Sequence, residues 1–255
     1  MGGSMTESIA LEISGKVAHV VLSRPDRRNA FDTAMLAAFE DAITELSRQR
    51  ALEVAVLRAE GPAFCSGTDL KELAQLQPAD TLHWQRRTAE TIERWSRLEV
   101  TTITAFNGPA IGSGAVIGLA SDLRIATRET FISFPEVGFG IPLTWSGIPV
   151  LNALLGPDRT RRMLLLCEQV AADEMASLDL VMKVVGADDI EAETDALVAR
   201  VLQSPQIGRL MSKRAVAAAA AAPGFITGSY EPFLAALSVI MRDSDGYGIA
   251  DDETP

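Results

Sequence analysis

Two glycine-containing stretches stand where an apolar strand pattern gives way to a helical one. "CSGTDL" (65–70) follows the strand pattern at 53–59, and "GPAIGSGAV" (108–116) follows the one at 101–106. Backbone N–H groups at the start of a helix lack intrahelical partners and carry the positive end of the helix dipole. Two such turns can bind a phosphate, or stabilise negative charge that develops on a carbonyl oxygen. Glycines that only permit tight turns are the alternative for either stretch.

One acidic residue has a setting suited to proton transfer. Glu136 follows Pro135 in the loop "FPEVGFGIP" (134–142), among mostly apolar neighbours. Such neighbours would desolvate the carboxylate and raise its pKa, whereas a solvent-facing loop glutamate is the alternative. Two anion-stabilising turns and one desolvated glutamate together predict chemistry on a carbon next to a carbonyl. The N–H groups would stabilise an enolate and Glu136 would move the protons.

Other kinds of site find little support in the sequence. Gly112-Ser113-Gly114 lacks the third small residue of a dinucleotide fingerprint, since Ile117 stands there. The two histidines, at positions 19 and 83, lie outside both glycine-containing stretches, so Ser–His catalysis is not indicated. The two cysteines, at 65 and 167, form no metal motif or disulfide framework and are interpreted as free thiols. We therefore expect no metal.

Charge and hydropathy limit the partners of this chain. Its 255 residues include 23 basic and 34 acidic ones, for a formal net charge of −11. Such a charge repels nucleic acid and anionic membranes, so an anionic ligand would need a locally basic patch. Because no apolar run reaches the length of a membrane span and no signal-peptide pattern opens the chain, we expect a cytoplasmic protein.

The periodicity predicts an α/β fold. A hairpin at 9–14 and 17–23 precedes a helix near 33–48, for which Asp32 is the expected N-cap. Further strands are predicted at 53–59, 101–106, 122–126 and 130–133, with a helix near 80–97. From about residue 145 the pattern is mostly helical, with one strand at 181–186 and helices near 188–204, 206–222 and 228–242.

Four segments, in order, resemble the enoyl-CoA hydratase/isomerase (crotonase) family. "LSRPDRRNAFD" is similar to the family's RPxxxNAL segment, and "AFCSGTDLKEL" to FxAGADIKE. "NGPAIGSGAVIGLASDLRIA" resembles NGxAxGGGxELAxxCDxRIA, and "FPEVGFGI" resembles the PExxxGI loop. The resemblance runs from about residue 9 to 186 and continues more weakly to about 242.

This resemblance implies a crotonase-like spiral of repeated β-β-α units with a C-terminal helical region. Residues 5–186 would form the acyl-CoA-binding core, and 187–255 a helical trimerisation region of a homotrimer or a dimer of trimers. The ligand would be an acyl-CoA thioester, with no separate cofactor because coenzyme A is part of the substrate. The backbone N–H groups of Thr68 and Ser113 would form the oxyanion hole. The implied substrate- or CoA-binding positions are Arg27, Arg28, Ala30, Ser66, Gly67, Asp69, Leu70, Gly112, Val116 and Trp145. Arg27 and Arg28 would be the local basic patch for the CoA phosphates, with a solvated turn as their alternative.

The departures from the family pattern bear on the reaction. Family hydratases carry two glutamates, and here the first position is Val116, which leaves Glu136 as the single acid/base. We therefore predict a shift of a C=C bond, from a 3-enoyl to a 2-enoyl thioester. A hydratase with an incomplete glutamate pair, another acyl-CoA reaction and a non-catalytic acyl-CoA binder are the alternatives. Trp145 stands in place of the family's PGAGG segment, and either shapes the acyl pocket or only packs.

Overall fold

The computed structural model describes residues 4–5 and 8–220, and within these it contains ten strands, eight α-helices and three short 3-10 helices. The strands are β1 (Ser4–Met5), β2 (Ile9–Ser14), β3 (Val17–Leu22), β4 (Val54–Ala59), β5 (Thr101–Phe106), β6 (Ala110–Ile111), β7 (Leu123–Thr127), β8 (Phe131–Ser133), β9 (Gln169–Ala171) and β10 (Val184–Val185). The helices are α1 (Thr33–Arg48), α2 (Leu70–Leu73), α3 (Pro78–Ser96), α4 (Ser113–Leu119), α5 (Gly147–Leu165), α6 (Ala172–Ser177), α7 (Ile190–Leu202) and α8 (Gln206–Ala220).

A seven-stranded sheet in the order β1-β2-β3-β4-β5-β7-β10 forms the first layer. At one edge β1, β2 and β3 pair antiparallel, and from β3 to β10 all pairs are parallel. Side chains alternate between the faces of a strand, so a sheet covered on both faces needs apolar residues on both. In β4, Val54 and Val56 pack with Val198 of α7, whereas Ala55 and Leu57 belong to the large core on the other face.

After each central strand of the seven-stranded sheet, the chain continues into a second layer. β6 follows β5 and β8 follows β7, and these two short strands pair in parallel within a three-stranded sheet that β9 completes. The segment after β3 joins this layer through a bridge between Phe31 and Thr68, and the segment after β4 joins it through a bridge between Cys65 and Ala110. This succession is the repeated β-β-α arrangement that the resemblance predicts.

Most of the predicted elements are confirmed, and the differences concern short strands. The strands β1 and β6, of two residues each, were not predicted. The strand β9 was not predicted, because its three residues are too few to show an alternating pattern, and it forms by pairing antiparallel with β8. The strand predicted at 181–186 is limited to Val184–Val185. A helix predicted at 228–242 lies outside the described residues. The proposed division at residue 186/187 stays a prediction.

None of the helices in the described part of the chain is both long enough and apolar enough to cross a membrane.

The start of α1 is held by one carboxylate with two partners. Asp32 accepts a hydrogen bond from the backbone N–H of Met35 at 2.7 Å, which is the predicted N-cap interaction. Its other oxygen lies 2.9 Å from the guanidinium of Arg24. Arg24 also contacts Asp69 at 3.2 Å, so the same arginine links the segment before α1 to the turn that contains Thr68.

Replacing Asp32 with Ala removes both the cap and the ion pair, and we expect the free energy of unfolding to fall by about 1–2 kcal/mol. Asp32→Asn keeps a capping oxygen and loses only the ion pair, so it is expected to cost no more than about 1 kcal/mol. Urea unfolding followed by circular dichroism measures both. Equal losses in the two variants would show that the ion pair, rather than the cap, holds this helix start.

Candidate active site

The turn at 65–69 presents one backbone N–H group without a partner. Phe31 donates to the carbonyl of Gly67, and Asp69 donates to the carbonyl of Phe31, both at 2.8 Å. Successive peptide groups of an extended segment point to opposite sides, so the N–H of Thr68 points away from Phe31 and toward the connection from β6 to α4. Among the described residues, it has no acceptor.

The second predicted N–H group, that of Ser113, lies next to the turn at 65–69. Ser113 is the first residue of α4, where a helix offers no internal acceptor, and its N–H has none among the described residues. A Cβ added to Gly67 would lie 3.7 Å from this nitrogen and 3.3 Å from the Ser113 hydroxyl. The hydroxyl groups of Thr68 and Ser113 are 3.2 Å apart. The structure thus brings together the two residues predicted to form an oxyanion hole.

Glu136 lies directly against Gly112, the residue before Ser113. It begins a single 3-10 turn, Glu136–Phe139, that follows β8. Gly112 has φ +54°, and a Cβ added there would collide with Oε1 of Glu136, so the carboxylate occupies the space that a side chain at 112 would fill. Gly112 in turn precedes Ser113, and its N–H donates to Ser133 at 2.8 Å.

The environment of Glu136 favours the protonated form of its carboxyl group. Oε2 is shielded from solvent and has no hydrogen-bond partner among the described residues. Burial raises the pKa of Glu136 to about 7. A carboxyl group with this pKa can both accept and return a proton near neutral pH, which is the requirement for an acid/base group that must do both.

An apolar wall adjoins the site. Trp145 is 1% exposed, and its ring packs edge-on against Phe31 and Trp84, with ring centroids 5.2 and 5.5 Å away. Phe31 forms the bridge to Thr68, so this aromatic cluster lies beside the predicted oxyanion hole. Val116 is fully buried in the same core. At position 116, where the family pattern has a glutamate, this chain therefore has an uncharged aliphatic side chain in the core.

The other predicted binding residues line the approach to the turn at 65–69. Arg27 and Arg28 are exposed, and Ser66 donates from its backbone N–H to the carbonyl of Arg28 at 2.9 Å. The backbone N–H of Ala30 donates to the carbonyl of Arg27 at 3.0 Å. Leu70, at the start of α2, is 40% exposed.

Asp69 is already engaged within the protein. It contacts Arg24 and accepts from the backbone N–H of Glu72, so it caps α2. Its role in ligand binding, like that of the other predicted binding residues, stays a prediction.

The sequence analysis did not predict a role for Asn29, whose side chain joins three backbone segments next to the site. Asn29 is fully buried with φ +55°, and its amide donates to the carbonyls of Glu60 and Ala63, both at 2.9 Å. Its side-chain oxygen accepts from the backbone N–H of Arg24 at 2.8 Å. The available signal was an asparagine directly after a turn, because asparagine tolerates the left-handed conformation better than most residues.

Other candidates for the chemistry are placed elsewhere or are inert. The thiol of Cys65 is buried and lies 3.0 Å from the carbonyl of Asn29, and burial raises its pKa to about 12, so it is no thiolate nucleophile. His19 lines a separate cleft with Glu12, and His83 is exposed on α3. Within the described residues, no group of three or more His, Cys, Asp or Glu side chains could hold a metal ion.

The family model for enoyl-CoA hydratase/isomerase matches residues 12–228 of this chain. The chain belongs to the enoyl-CoA hydratase/isomerase family. A crotonyl-CoA hydratase from Syntrophomonas wolfei is 29% identical over 210 residues, covering 82% of this chain and 81% of that protein. An enoyl-CoA isomerase/hydratase from Mycosarcoma maydis is 28% identical over 214 residues, with coverage of 80% and 78%.

Solved structures confirm the crotonase-like fold. The enoyl-CoA hydratase/isomerase of Xanthobacter autotrophicus Py2 superposes with a TM-score of 0.81 at 27% identity, covering 97% of this chain and 90% of the other. The enoyl-CoA hydratase of Bacillus anthracis gives a TM-score of 0.79 at 25% identity, with 82% coverage of each chain. The protein is thus an enzyme of the enoyl-CoA hydratase/isomerase family, and this family acts on acyl-CoA.

The raised pKa of Glu136 makes a thermodynamic prediction that needs no substrate. Its carboxyl group changes from an ordinary value of 4.5 to about 7 on folding, so between these values the folded state holds a proton that the unfolded state has lost. This acid therefore destabilises the folded state progressively as the pH rises from 4.5 to 7, by roughly 3 kcal/mol in total. Glu136→Gln should match the wild type in stability near pH 4.5 and exceed it above pH 7.

Urea unfolding of both proteins at several pH values tests this difference. Glu129→Gln is the matched control, because Glu129 is exposed on the turn between β7 and β8 and should leave the curve of the wild type unchanged. A constant difference between the Glu136→Gln variant and the wild type from pH 4.5 to 8 would contradict the burial of the carboxylate.

Proposed function

We propose that this enzyme shifts a carbon–carbon double bond in an acyl-CoA thioester, converting a 3-enoyl to a 2-enoyl group, with Glu136 as the single acid/base. The observation that supports the proposal is the Oε2 atom of Glu136, which is shielded from solvent and has no hydrogen-bond partner among the described residues. The same carboxylate contacts Gly112, next to the unpaired N–H group of Ser113. No second carboxylate is available from position 116, where the buried side chain is valine.

In the first step Glu136, as a carboxylate, accepts a proton from C2 of the 3-enoyl thioester. The electron pair of that C–H bond moves into the thioester carbonyl, and the negative charge that develops on oxygen is stabilised by the N–H groups of Thr68 and Ser113. Because the resulting enolate is conjugated with the C3–C4 double bond, its charge also extends to C4. A desolvated, apolar setting strengthens the N–H interactions with the oxyanion.

In the second step Glu136, now protonated, returns a proton to C4. The double bond then lies between C2 and C3, in conjugation with the carbonyl, and the carboxylate is regenerated. One group can serve both steps because its pKa of about 7 makes neither protonation state costly at neutral pH. Hydration would instead require an activated water, and Val116 can neither orient nor deprotonate one.

Arg27 and Arg28 are the proposed partners of the CoA phosphates. Both are exposed, and the carbonyl of Arg28 is hydrogen-bonded to the turn that contains Thr68, so a ligand held by these arginines would lie close to the oxyanion hole. Assembly as a homotrimer or a dimer of trimers, in the cytoplasm, remains part of the proposal.

Hydration is the second candidate, and the names of the relatives favour it. The related protein of Syntrophomonas wolfei is a crotonyl-CoA hydratase, and that of Mycosarcoma maydis is an isomerase/hydratase. In this chain the reaction would have to proceed with one glutamate. A binder of acyl-CoA without turnover is the third possibility, and the same experiment separates all three.

The test uses a panel of 3-enoyl- and 2-enoyl-CoA thioesters with the wild type, Glu136→Gln and the control Glu129→Gln. We expect the wild type to form the conjugated 2-enoyl product without a change in mass. Glu136→Gln should lose this activity by at least ~10²-fold, because it lacks the acid/base group. Glu129→Gln should retain it. Absorbance of the conjugated thioester and mass spectrometry report the product.

Each contrary outcome has one meaning. A product heavier by one water would identify a hydratase and overturn the isomerase proposal. Tight binding of every thioester without turnover, unchanged in Glu136→Gln, would identify a binder.

The pH dependence provides an independent prediction for the isomerisation. The free enzyme must carry Glu136 as a carboxylate to accept the C2 proton, so kcat/KM should fall about tenfold per pH unit below the pKa of about 7. Initial rates with one 3-enoyl-CoA between pH 5 and 8 measure this profile. A profile that is flat down to pH 5 would show that Glu136 is not the base, or that its carboxyl group is not desolvated.

A further inference from the structure

We propose that the hydroxyl pair of Thr68 and Ser113 supplies an O–H donor to the thioester oxygen, in addition to the two backbone N–H groups. The inference rests on the proposed function in one respect, namely that the ligand oxygen lies between these two residues. It makes both side chains, and not only their backbones, catalytic groups of the oxyanion hole.

The first argument is a count of protons. The two hydroxyl groups carry two protons, and the single contact between them, at 3.2 Å, uses one. Neither oxygen has another hydrogen bond within the described residues. One O–H group is therefore left without an acceptor among the described residues, on a pair in which Ser113 is 5% exposed and Thr68 is half-buried. A ligand oxygen at this point would give that O–H group an acceptor, and the hydrogen bond would form where the pair is largely shielded from solvent.

The second argument is position. The hydroxyls belong to the same two residues whose N–H groups are unpaired, and Gly67 leaves the space beside them free of a side chain. A ligand oxygen that accepts from both N–H groups therefore lies next to the two hydroxyls. Since either oxygen can be the donor in the pair, either hydroxyl can turn its proton to the ligand.

Another hydroxyl pair in the same protein shows how a structural pair is satisfied. Thr127 and Thr130 are also 3.2 Å apart and buried, but Thr130 donates onward to the carbonyl of Phe106 at 3.0 Å. Both protons of that pair can thus be placed within the protein. It is a matched control, because its loss removes a buried hydroxyl pair without changing the donors at the site.

A double-mutant cycle distinguishes a donor to the ligand from a contact that only joins the two turns. If the hydroxyls serve only each other, either Ser113→Ala or Thr68→Val breaks their bond, and the second substitution adds little. If one hydroxyl donates to the ligand, each single variant leaves the remaining hydroxyl free to do so. We expect the single variants to lose about tenfold or less in kcat, and the double variant about 10²-fold, the usual effect of losing an oxyanion donor.

A spectroscopic readout makes the test independent of turnover. A 2,4-dienoyl-CoA bound to the Glu136→Gln protein should absorb at longer wavelength than in solution, because donors to its thioester oxygen polarise the conjugated system. Adding Ser113→Ala and Thr68→Val together should reduce this red shift, and Thr127→Val should leave it unchanged. Thermal melts followed by circular dichroism confirm that each variant is folded.

The outcomes separate this inference from the proposed function. If no enoyl-CoA is turned over but the red shift falls in the double variant, the isomerase proposal fails and the hydroxyl donor stands. If turnover occurs and the double variant equals the single variants in both rate and red shift, the donor is overturned and the isomerase stands. The absence of any red shift in the protein with both hydroxyls intact also overturns the donor.

Discussion

Backbone pairing in the second layer is the constraint on which the site depends. Phe31 pairs with the segment around Thr68, Cys65 with Ala110, and Gly112 donates to Ser133. These bonds align the segments that leave four successive strands of the main sheet. Because each pairing fixes which peptide groups point toward a neighbour and which point away, the unpaired N–H groups of Thr68 and Ser113 lie on adjacent segments as a consequence of the sheet itself.

The free-energy cost of the site arises mainly at Glu136, and the packing around this residue offsets that cost. A desolvated carboxylate whose Oε2 atom has no partner among the described residues destabilises the folded state at neutral pH, and the extensive apolar core around Phe31, Val116 and Trp145 can offset this cost. The same desolvation that makes the group costly gives it a pKa suited to exchanging protons with carbon. Desolvation of the Glu136 side chain thus lowers the stability of the folded state while it favours proton transfer.

Polar side chains beneath the turn hold it without entering the site. Asn29 binds the carbonyls of Glu60 and Ala63, and Arg24 joins Asp32 to Asp69. These partners satisfy buried or half-buried polar groups around the segments that contain Phe31 and Thr68. Such support restricts the position of the donors, and an oxyanion hole depends on donors that are already in place before charge develops.

Short-range patterns in the sequence determined the elements, the family and the residue types at the site. The hairpin, the cap at Asp32 and the order of the four motifs depend on neighbouring residues, and so could be predicted. Contacts between distant segments could not. Burial of Glu136 depends on Gly112, 24 positions earlier in the printed sequence, and the hydroxyl contact joins residues 45 apart. Local sequence cannot predict these contacts, because they form only when the segments of the second layer pair with one another. The tertiary structure alone decided them.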